Sequence, residues 1–443
     1  MFTGKGNSSR NISILFFILC TFIFIEKSVA KDKISDISDL NLNDIAYLWP
    51  TPKSQDDVNA LISADFLIND GELWPEEKFN DVIHFAENKV NGKDASGNIV
   101  KISFVSGVGV FEGQLRKRKS WKVVGFRVDP SAPSASPESI EQWGSIPQIR
   151  LVLQPVTVNE SGVVTIHDMT AHLPFNFVLN TTWPFQPDKI AFEKILNDLL
   201  TLKKSQQQMQ ASSQLEGPLN VNSNLLTKNF ADQVKAFLHD NLSASRLEFI
   251  SFMGTANSDQ WIFFNLASNA LSPNSQLLHV KPSSTSGFVG NRIGNNVNQN
   301  FDNCNGISTA VLFNNGIDTE LGNTVQCVDS AATSPALPKL QDIPNIIANP
   351  VNSNVMNTDC VSCHTESTRR SILKLTTVSA DQLQLPEFEP YVMDDLLPKD
   401  KWNVRNFGWF TKDVLTDPKP IISTRAANET ASSLKFIKEH YAN

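Results

Sequence analysis

The sequence predicts an α+β protein, with a β-rich N-terminal region arranged as an antiparallel sheet or sandwich and a small, mainly α-helical C-terminal domain. Runs of β-branched and aromatic residues lie between residues 99 and 179, whereas residues 188–204 and 424–441 carry helical periodicity. The chain has 443 residues. Because this length exceeds what one hydrophobic core normally supports, we expect more than one domain.

Residues 1–30 have the pattern of a cleavable signal peptide. Positive charges precede an apolar run of 14 residues, and the small residues Ser28 and Ala30 stand where signal peptidase recognises its substrate. The run is shorter than the roughly 20 residues needed to cross a bilayer, so we expect a periplasmic protein with no membrane span after cleavage. A lipid anchor on Cys20 is disfavoured, because Leu19 replaces the small residue of a lipoprotein signal.

The chain is acidic. Its formal net charge of −8 becomes −10 when the signal peptide is removed, because that segment contains three basic residues and one acidic residue. An acidic protein is poorly suited to nucleic acid or anionic lipid as its main partner. We therefore expect no nucleic-acid partner.

Residues 31–204 are predicted to be a β-rich domain that ends in a helix. The predicted strands, which are rich in β-branched and aromatic residues, occupy residues 99–111, 121–128, 149–158 and 163–179. The helix is predicted over residues 188–204, where one face carries the apolar side chains of Phe192, Ile195, Leu196 and Leu199.

The rest of the chain is predicted to form two further domains. A polar run at residues 205–222 is predicted to be a linker. Residues 223–340 follow as a mixed α/β region, with a helix at 229–242 and a strand pair joined by a short turn at 246–268. Residues 341–443 form the C-terminal domain.

The C-terminal domain is predicted to end in a helix over residues 424–441. Ser423 or Thr424 can cap its N-terminus. Its predicted apolar face, spaced at helical intervals, consists of Ala427, Leu434, Ile437 and Tyr441.

Four cysteines remain once Cys20 is removed with the signal peptide. In an oxidising compartment an unpaired thiol is a liability, and a bond between Cys304 and Cys327 would close a loop of 22 intervening residues. Such a disulfide would stabilise the fold by roughly 3 kcal/mol through loop entropy. A zinc site that uses all four thiols is disfavoured, because Cys304 and Cys327 lack the close spacing of a zinc knuckle.

The other two cysteines, Cys360 and Cys363, are followed at once by His364 in the sequence CVSCH. A redox-active dithiol would require a strand before Cys360, but the preceding residues are rich in proline and asparagine. C-x-x-C-H is the attachment signal of c-type haem, because thiols three residues apart on a helical turn can bond both vinyl groups of one haem edge. Composition alone predicts only about 0.001 such matches in this chain, so we favour haem.

On this motif, residues 341–443 resemble a monohaem c-type cytochrome domain at the C-terminus of a larger exported protein. The resemblance implies one covalent haem c, with thioether bonds to Cys360 and Cys363 and with His364 as the proximal iron ligand. It also implies a downstream methionine as the sixth ligand, and Met393 is the only methionine after the motif. The helix that usually precedes the motif in this family has no counterpart in the proline-rich approach to Cys360.

Arg405 is a candidate contact for a haem propionate. It lies in KWNVRNFGWF, residues 401–410, where aromatic side chains surround it in the sequence. A haem presents negative propionates beside a large apolar ring, so a cation among aromatic rings suits its edge. An aromatic core with a surface arginine is the alternative interpretation.

His167 and His172, with Asp168 beside the first, are the other residues of a type that binds metal. They are five residues apart, so on a single strand their side chains would point to opposite faces of the sheet. A histidine held by ordinary hydrogen bonds is therefore the favoured interpretation.

These residues predict an exported monohaem c-type cytochrome that transfers one electron. It would depend on a haem attachment machinery and on a redox partner protein. The alternative is a haem-dependent oxidoreductase of the peroxidase type, or a haem-based gas or redox sensor, with an open sixth coordination position. The sequence has no nucleophile elbow, phosphate loop or HExxH motif, and its single CxxCH weighs against two-electron peroxidase chemistry.

Overall fold

The computed structural model describes the chain from Ile37 onward in segments. These segments are residues 37–87, 90–93, 99–102, 113–132, 140–141, 144–180, 185–208, 217–257, 260–267, 278–280, 289–290, 345, 348–350, 366, 391–398, 406–410 and 417–442. The predicted signal peptide at residues 1–30 lies outside them.

The secondary structure mixes helices with antiparallel strands, as the α+β prediction requires. The α-helices are α1 (Leu42–Ile45), α2 (Gln55–Ala60), α3 (Glu76–Glu87), α4 (Lys189–Gln207), α5 (Lys228–Asn241) and α6 (Thr424–Tyr441). The strands are β1 (Ala46–Leu48), β2 (Leu67–Ile68), β3 (Gly71–Glu72), β4 (Val90–Lys93), β5 (Ile99–Ile102), β6 (Trp121–Ala132), β7 (Ile146–Val158), β8 (Val164–Ile166), β9 (Met169–Asn176), β10 (Phe249–Asn257), β11 (Gln260–Ala267), β12 (Leu278–Val280), β13 (Val289–Gly290), β14 (Phe407–Phe410) and β15 (Lys419–Ile422).

Side-chain caps fix where several helices begin. Asn41 and Ser54 each form a capping box with the acidic residue three positions later, at the starts of α1 and α2. Asp188 accepts a hydrogen bond from the Ala191 amide at 3.1 Å, which satisfies an otherwise unpaired donor of α4. Ser423 caps α6 in the same way, so the cap predicted from the sequence is confirmed.

The main sheet is antiparallel and follows the order β1-β6-β7-β9-β10-β11-β12-β13, with β8 paired to β7. It takes strands from both sides of the predicted linker at 205–222, because β9 pairs directly with β10. Residues 36–443 form one compact unit. The main sheet thus contains strands from before and after the segment that was predicted to be a linker.

The predicted linker is also partly packed. α4 continues to Gln207, with the Gln206 side chain buried. Further along, the Asn222 amide donates a hydrogen bond to the Leu48 carbonyl at 2.9 Å, and the Asn43 side chain donates to the Pro218 carbonyl at 3.0 Å. These bonds attach the segment to the N-terminal elements.

One face of the sheet is apolar and forms the main core. Strand alternation places fully buried side chains of neighbouring strands on this face: Phe126, Val128, Ile149, Leu151, Leu173 and Phe175. α5 packs on it through Phe237, whose ring stacks on Phe126 with 5.9 Å between centroids. α4 packs on α5, and all four side chains predicted for the buried face of α4 are buried.

The other face of the sheet is covered by the C-terminal elements. The β14–β15 hairpin packs over Gly125, where an added Cβ would collide with the Phe407 ring and lie 2.7 Å from the Tyr47 carbonyl oxygen. Gln154 accepts from the Trp409 amide at 2.6 Å and donates to its carbonyl at 2.8 Å. α6 lies beside this hairpin and packs on β6.

Several predicted elements match the structure, and others are new. The strands at 121–128 and 149–158, the helices at 188–204, 229–242 and 424–441 and the strand pair at 246–268 are confirmed, with ends that differ by a few residues. The strand predicted at 163–179 is broken at His167 and Asp168 into β8 and β9. α1, α2, α3 and β1 are not predicted by the patterns above. Among the described helices, none is both long enough and apolar enough to cross a membrane.

Candidate functional site

Most residues of the predicted haem site lie outside the described residues. These are the motif residues Cys360, Cys363 and His364, the propionate candidate Arg405, and the predicted disulfide pair Cys304 and Cys327. Two nearby residues are described. Glu366, two positions after His364, is fully buried, and Met393 lies on an ordered turn.

The turn that carries Met393 is held by backbone hydrogen bonds on both sides. The Leu219 amide donates to the Tyr391 carbonyl at 2.8 Å, and the Met393 amide donates back to the Leu219 carbonyl at 3.1 Å. Leu396 closes the turn by donating to the Met393 carbonyl at 3.0 Å. The Met393 side chain is 39% exposed, whereas Tyr391 is buried. The turn therefore fixes the backbone of Met393 and directs its thioether outward.

The same turn is connected to the start of α6. The Ile422 amide donates to the Leu396 carbonyl at 2.9 Å, and Ile422 directly precedes the Ser423 cap. On another side of the helix, the Asn428 side chain donates to the Ala348 carbonyl at 2.8 Å. α6 is thus held by residues on both sides of the CVSCH motif in the sequence.

The face of the sheet beneath α6 carries charged and amide side chains. Arg127 of β6 lies directly opposite Arg150 of β7, and Asp129 lies opposite Gln148. Because side chains alternate along a strand, these four residues share the face that points away from the Phe126 core. Like charges directly opposite each other destabilise a sheet, so this arrangement requires compensation.

Carboxylates on β6 and α6 supply that compensation. Arg127 donates to Asp129 at 2.8 Å and to Glu429 at 2.9 Å, and Arg425 donates to the second oxygen of Glu429 at 2.7 Å. Arg425 and Glu429 are four residues apart, which places both on the side of α6 that faces β6. We call Arg127, Asp129, Arg150, Arg425 and Glu429 the arginine cluster.

The five residues of the arginine cluster include three guanidinium groups and two carboxylates, and Arg425 makes a further interaction besides its hydrogen bond to Glu429. Arg150 donates from Nε to Gln148 at 3.0 Å, but its terminal nitrogens have no hydrogen-bond or ion-pair partner in the described part of the chain. The Nε atom of Arg127 is buried and also lacks a partner there. Three donor nitrogens of the cluster, Nη1 and Nη2 of Arg150 and Nε of Arg127, therefore have no partner among the described residues.

The charges of the cluster change the pKa values of its members. Burial alone would raise the pKa of Glu429, but Arg425, Arg127 and Arg150 lower it to about 2. Burial and then repulsion from Arg127 lower the pKa of Arg150 from its ordinary value. Glu429 is consequently ionised at neutral pH, and the charged form of Arg150 is disfavoured compared with that of an exposed arginine.

The two histidines considered as metal ligands lie in different elements. The Nε2 atom of His167, in the break between β8 and β9, is 2.8 Å from the Thr157 hydroxyl, and burial lowers the pKa of its ring. His172 lies within β9, opposite Ser251 of β10. Within the described ranges, no group of three or more His, Cys, Asp or Glu residues is arranged to hold a metal ion.

Motifs and hydrophobic periodicity in the sequence do not predict the arginine cluster. A signal for it is nevertheless present, because Arg127 and Asp129 in β6, and Gln148 and Arg150 in β7, each recur at a spacing of two between buried apolar residues. That spacing puts charged and amide side chains on one face of two central strands. In antiparallel sheets such a face usually meets water, so the spacing predicts a polar face but not its cover by α6. Comparison with known proteins adds no relative: no family model, curated protein or solved structure matches this chain.

Proposed function

We propose that the protein is exported, attaches one haem covalently through Cys360 and Cys363, and exchanges single electrons with a redox partner protein. The observation that carries the proposal is CVSCH at residues 360–364 in a chain that starts with a signal-peptide pattern. c-type haem is attached after export, so the two patterns support each other. Maturation would require the haem attachment machinery of the periplasm.

Described residues on both sides of the motif support a protected location for the cofactor. Glu366 is fully buried, and Ala348 is hydrogen-bonded to α6. Burial and local dielectric are among the main factors that set the potential of a haem.

The proposed roles of the chain's own residues follow from their chemistry. When bound, haem supplies one-electron chemistry between the ferric and ferrous states. His364 would hold the iron from one side, and Met393 is the candidate sixth ligand, since its turn is already fixed and its thioether is exposed. Histidine–methionine ligation raises the reduction potential, which suits an electron carrier.

The surface near Met393 favours a basic partner. Asp394 and Asp395 follow Met393 directly and are both exposed. With the acidic charge of the whole chain, these carboxylates would attract a positively charged redox partner and accelerate its association at low salt.

Absorption spectra of protein matured in a host that attaches haem c would test the proposal. We expect a low-spin ferrous spectrum that CO does not change, together with the far-red methionine–iron band in the oxidised protein. Rapid CO binding would contradict an electron carrier with a closed site. It would instead favour the alternative, a haem-dependent oxidoreductase or a sensor with an open sixth position.

A further inference from the structure

We propose that the arginine cluster is a binding site for a carboxylate group, with Arg150 as its principal contact residue. The cluster lies between the sheet and the first turns of α6, and Arg150 is only partly buried, so a ligand can reach it. The lack of a carboxylate partner for Arg150, its unpaired donors and its position opposite Arg127 each support this assignment.

Arg150 has no carboxylate partner within the arginine cluster. Both carboxylates of the cluster already bind Arg127 or Arg425 at 2.9 Å or less, whereas neither lies within ion-pair distance of Arg150. Arg150 also faces Arg127 across two hydrogen-bonded strands. Paired strands favour opposite charges at such positions, and departures from this kind of local rule are expected at functional sites.

The free donors determine the chemistry of the ligand. In the part of the chain that the structure describes, only the Nε atom of Arg150 is engaged, so its terminal nitrogens are available. A planar guanidinium group binds a carboxylate through two parallel hydrogen bonds. One carboxylate can accept from both terminal nitrogens of Arg150 and neutralise its charge. Arg425 lies in the first turn of α6, where the helix dipole further favours a negative ligand.

Two sources could supply the carboxylate. One is a propionate of the haem on the same chain, and this source rests on the function proposed above. The other is a separate small carboxylic acid, which requires no haem. The chemistry that Arg150 recognises is the same for both.

A titration of the mature full-length chain with sodium propionate, at constant ionic strength, tests the site. Arginine Nε–H signals would be followed by NMR in the wild-type protein, in Arg150→Gln and in the control Arg116→Gln. Arg116 is exposed and lies outside the cluster. If the ligand is a separate acid, Arg150→Gln should weaken propionate binding at least tenfold, and Arg116→Gln should change it less than twofold.

If free propionate does not bind, the pH dependence of the haem reduction potential shows whether the haem's own propionate occupies the site. A shift of that dependence in Arg150→Gln, absent in Arg116→Gln, would support the site with the haem's own propionate as its occupant. If free propionate does not bind and Arg150→Gln causes no such shift, the proposal is overturned. A matured chain that carries no haem would contradict the proposed function, but the propionate titration would still decide whether the site exists.

Discussion

Replacing Glu429 with glutamine tests whether the arginine cluster holds α6 on the sheet. The substitution keeps the shape of the side chain but removes the charge that Arg127 and Arg425 share. Lowering the pKa from 4.5 to about 2 corresponds to about 3 kcal/mol of stability from the ionised carboxylate. Because the Glu429 side chain is 27% exposed, solvent screens part of its interaction with the arginines. We therefore expect Glu429→Gln to lower the free energy of unfolding by about 2–3 kcal/mol at pH 7.

The sign of the pH dependence follows from the direction of the shift. The folded state lowers the pKa of Glu429, so its contribution is complete above the unfolded value of about 4.5 and is lost as the pH falls towards 2. The difference in stability between the wild-type protein and Glu429→Gln should therefore be constant from pH 7 to pH 5. It should then narrow at pH 4 and pH 3.

Urea denaturation of the mature full-length chain at these pH values measures the difference. The matched control is Glu439→Gln on the same helix, where the carboxylate is exposed and lies 3.9 Å from Lys435. Such a surface pair contributes at most about 0.5 kcal/mol. The reasoning is refuted if Glu429→Gln costs no more than the control at pH 7, or if its cost is the same at pH 3 as at pH 7.

Three further predictions concern the core, the iron and the thiols. Gly125→Ala should destabilise the fold by about 1–3 kcal/mol in urea denaturation, because the new methyl group meets the Phe407 ring. Adding Phe407→Leu should restore part of this stability. If it does not, the contact between residues 125 and 407 is not the cause of the loss. Met393→Ala should make the ferrous protein bind CO and should change its reduction potential, and an unchanged spectrum and potential would exclude Met393 as the sixth ligand. Peptide mapping without reductant should find Cys304 linked to Cys327, and alkylation of either thiol in the native protein would contradict the disulfide.

Much of the architecture is predictable from local patterns. Phe192, Ile195, Leu196 and Leu199 fall on one side of a 3.6-residue period, and all four are buried in α4. The Ser423 cap is also predictable, because a side-chain acceptor before a helical pattern satisfies a free amide in any context. Both features depend on residues that are close together in the sequence.

Pairings between distant residues could not be predicted in this way. β9 pairs with β10 across more than seventy residues, and neither strand contains a signal for its partner. The contacts of α6 could not be predicted either. Its predicted apolar face includes the buried residues Leu434 and Ile437. Its polar residues Arg425 and Glu429 are also packed against the sheet. A charged stripe on a helix usually faces water, and only the opposing arginines of the sheet give it a reason to be covered.

The candidate haem site contains one part that the sequence predicts and one part that depends on the fold. CVSCH is specific in the sequence because the chemistry of attachment fixes the spacing of Cys360, Cys363 and His364. Met393 has no such motif, and its proposed role depends on where its turn lies in the folded chain. Ligand positions that a covalent reaction fixes are therefore predictable, whereas those that the fold supplies are not.

Covalent retention of haem after denaturation is the most direct test of the proposed function. The chain would be produced in a host that attaches haem c, denatured in detergent under reducing conditions, and tested for haem absorbance that migrates with the polypeptide. We predict that the wild-type chain keeps its haem and that the Cys360→Ser, Cys363→Ser double variant does not. A wild-type chain that carries no haem after maturation in this host, or a double variant that retains it equally, would contradict the account.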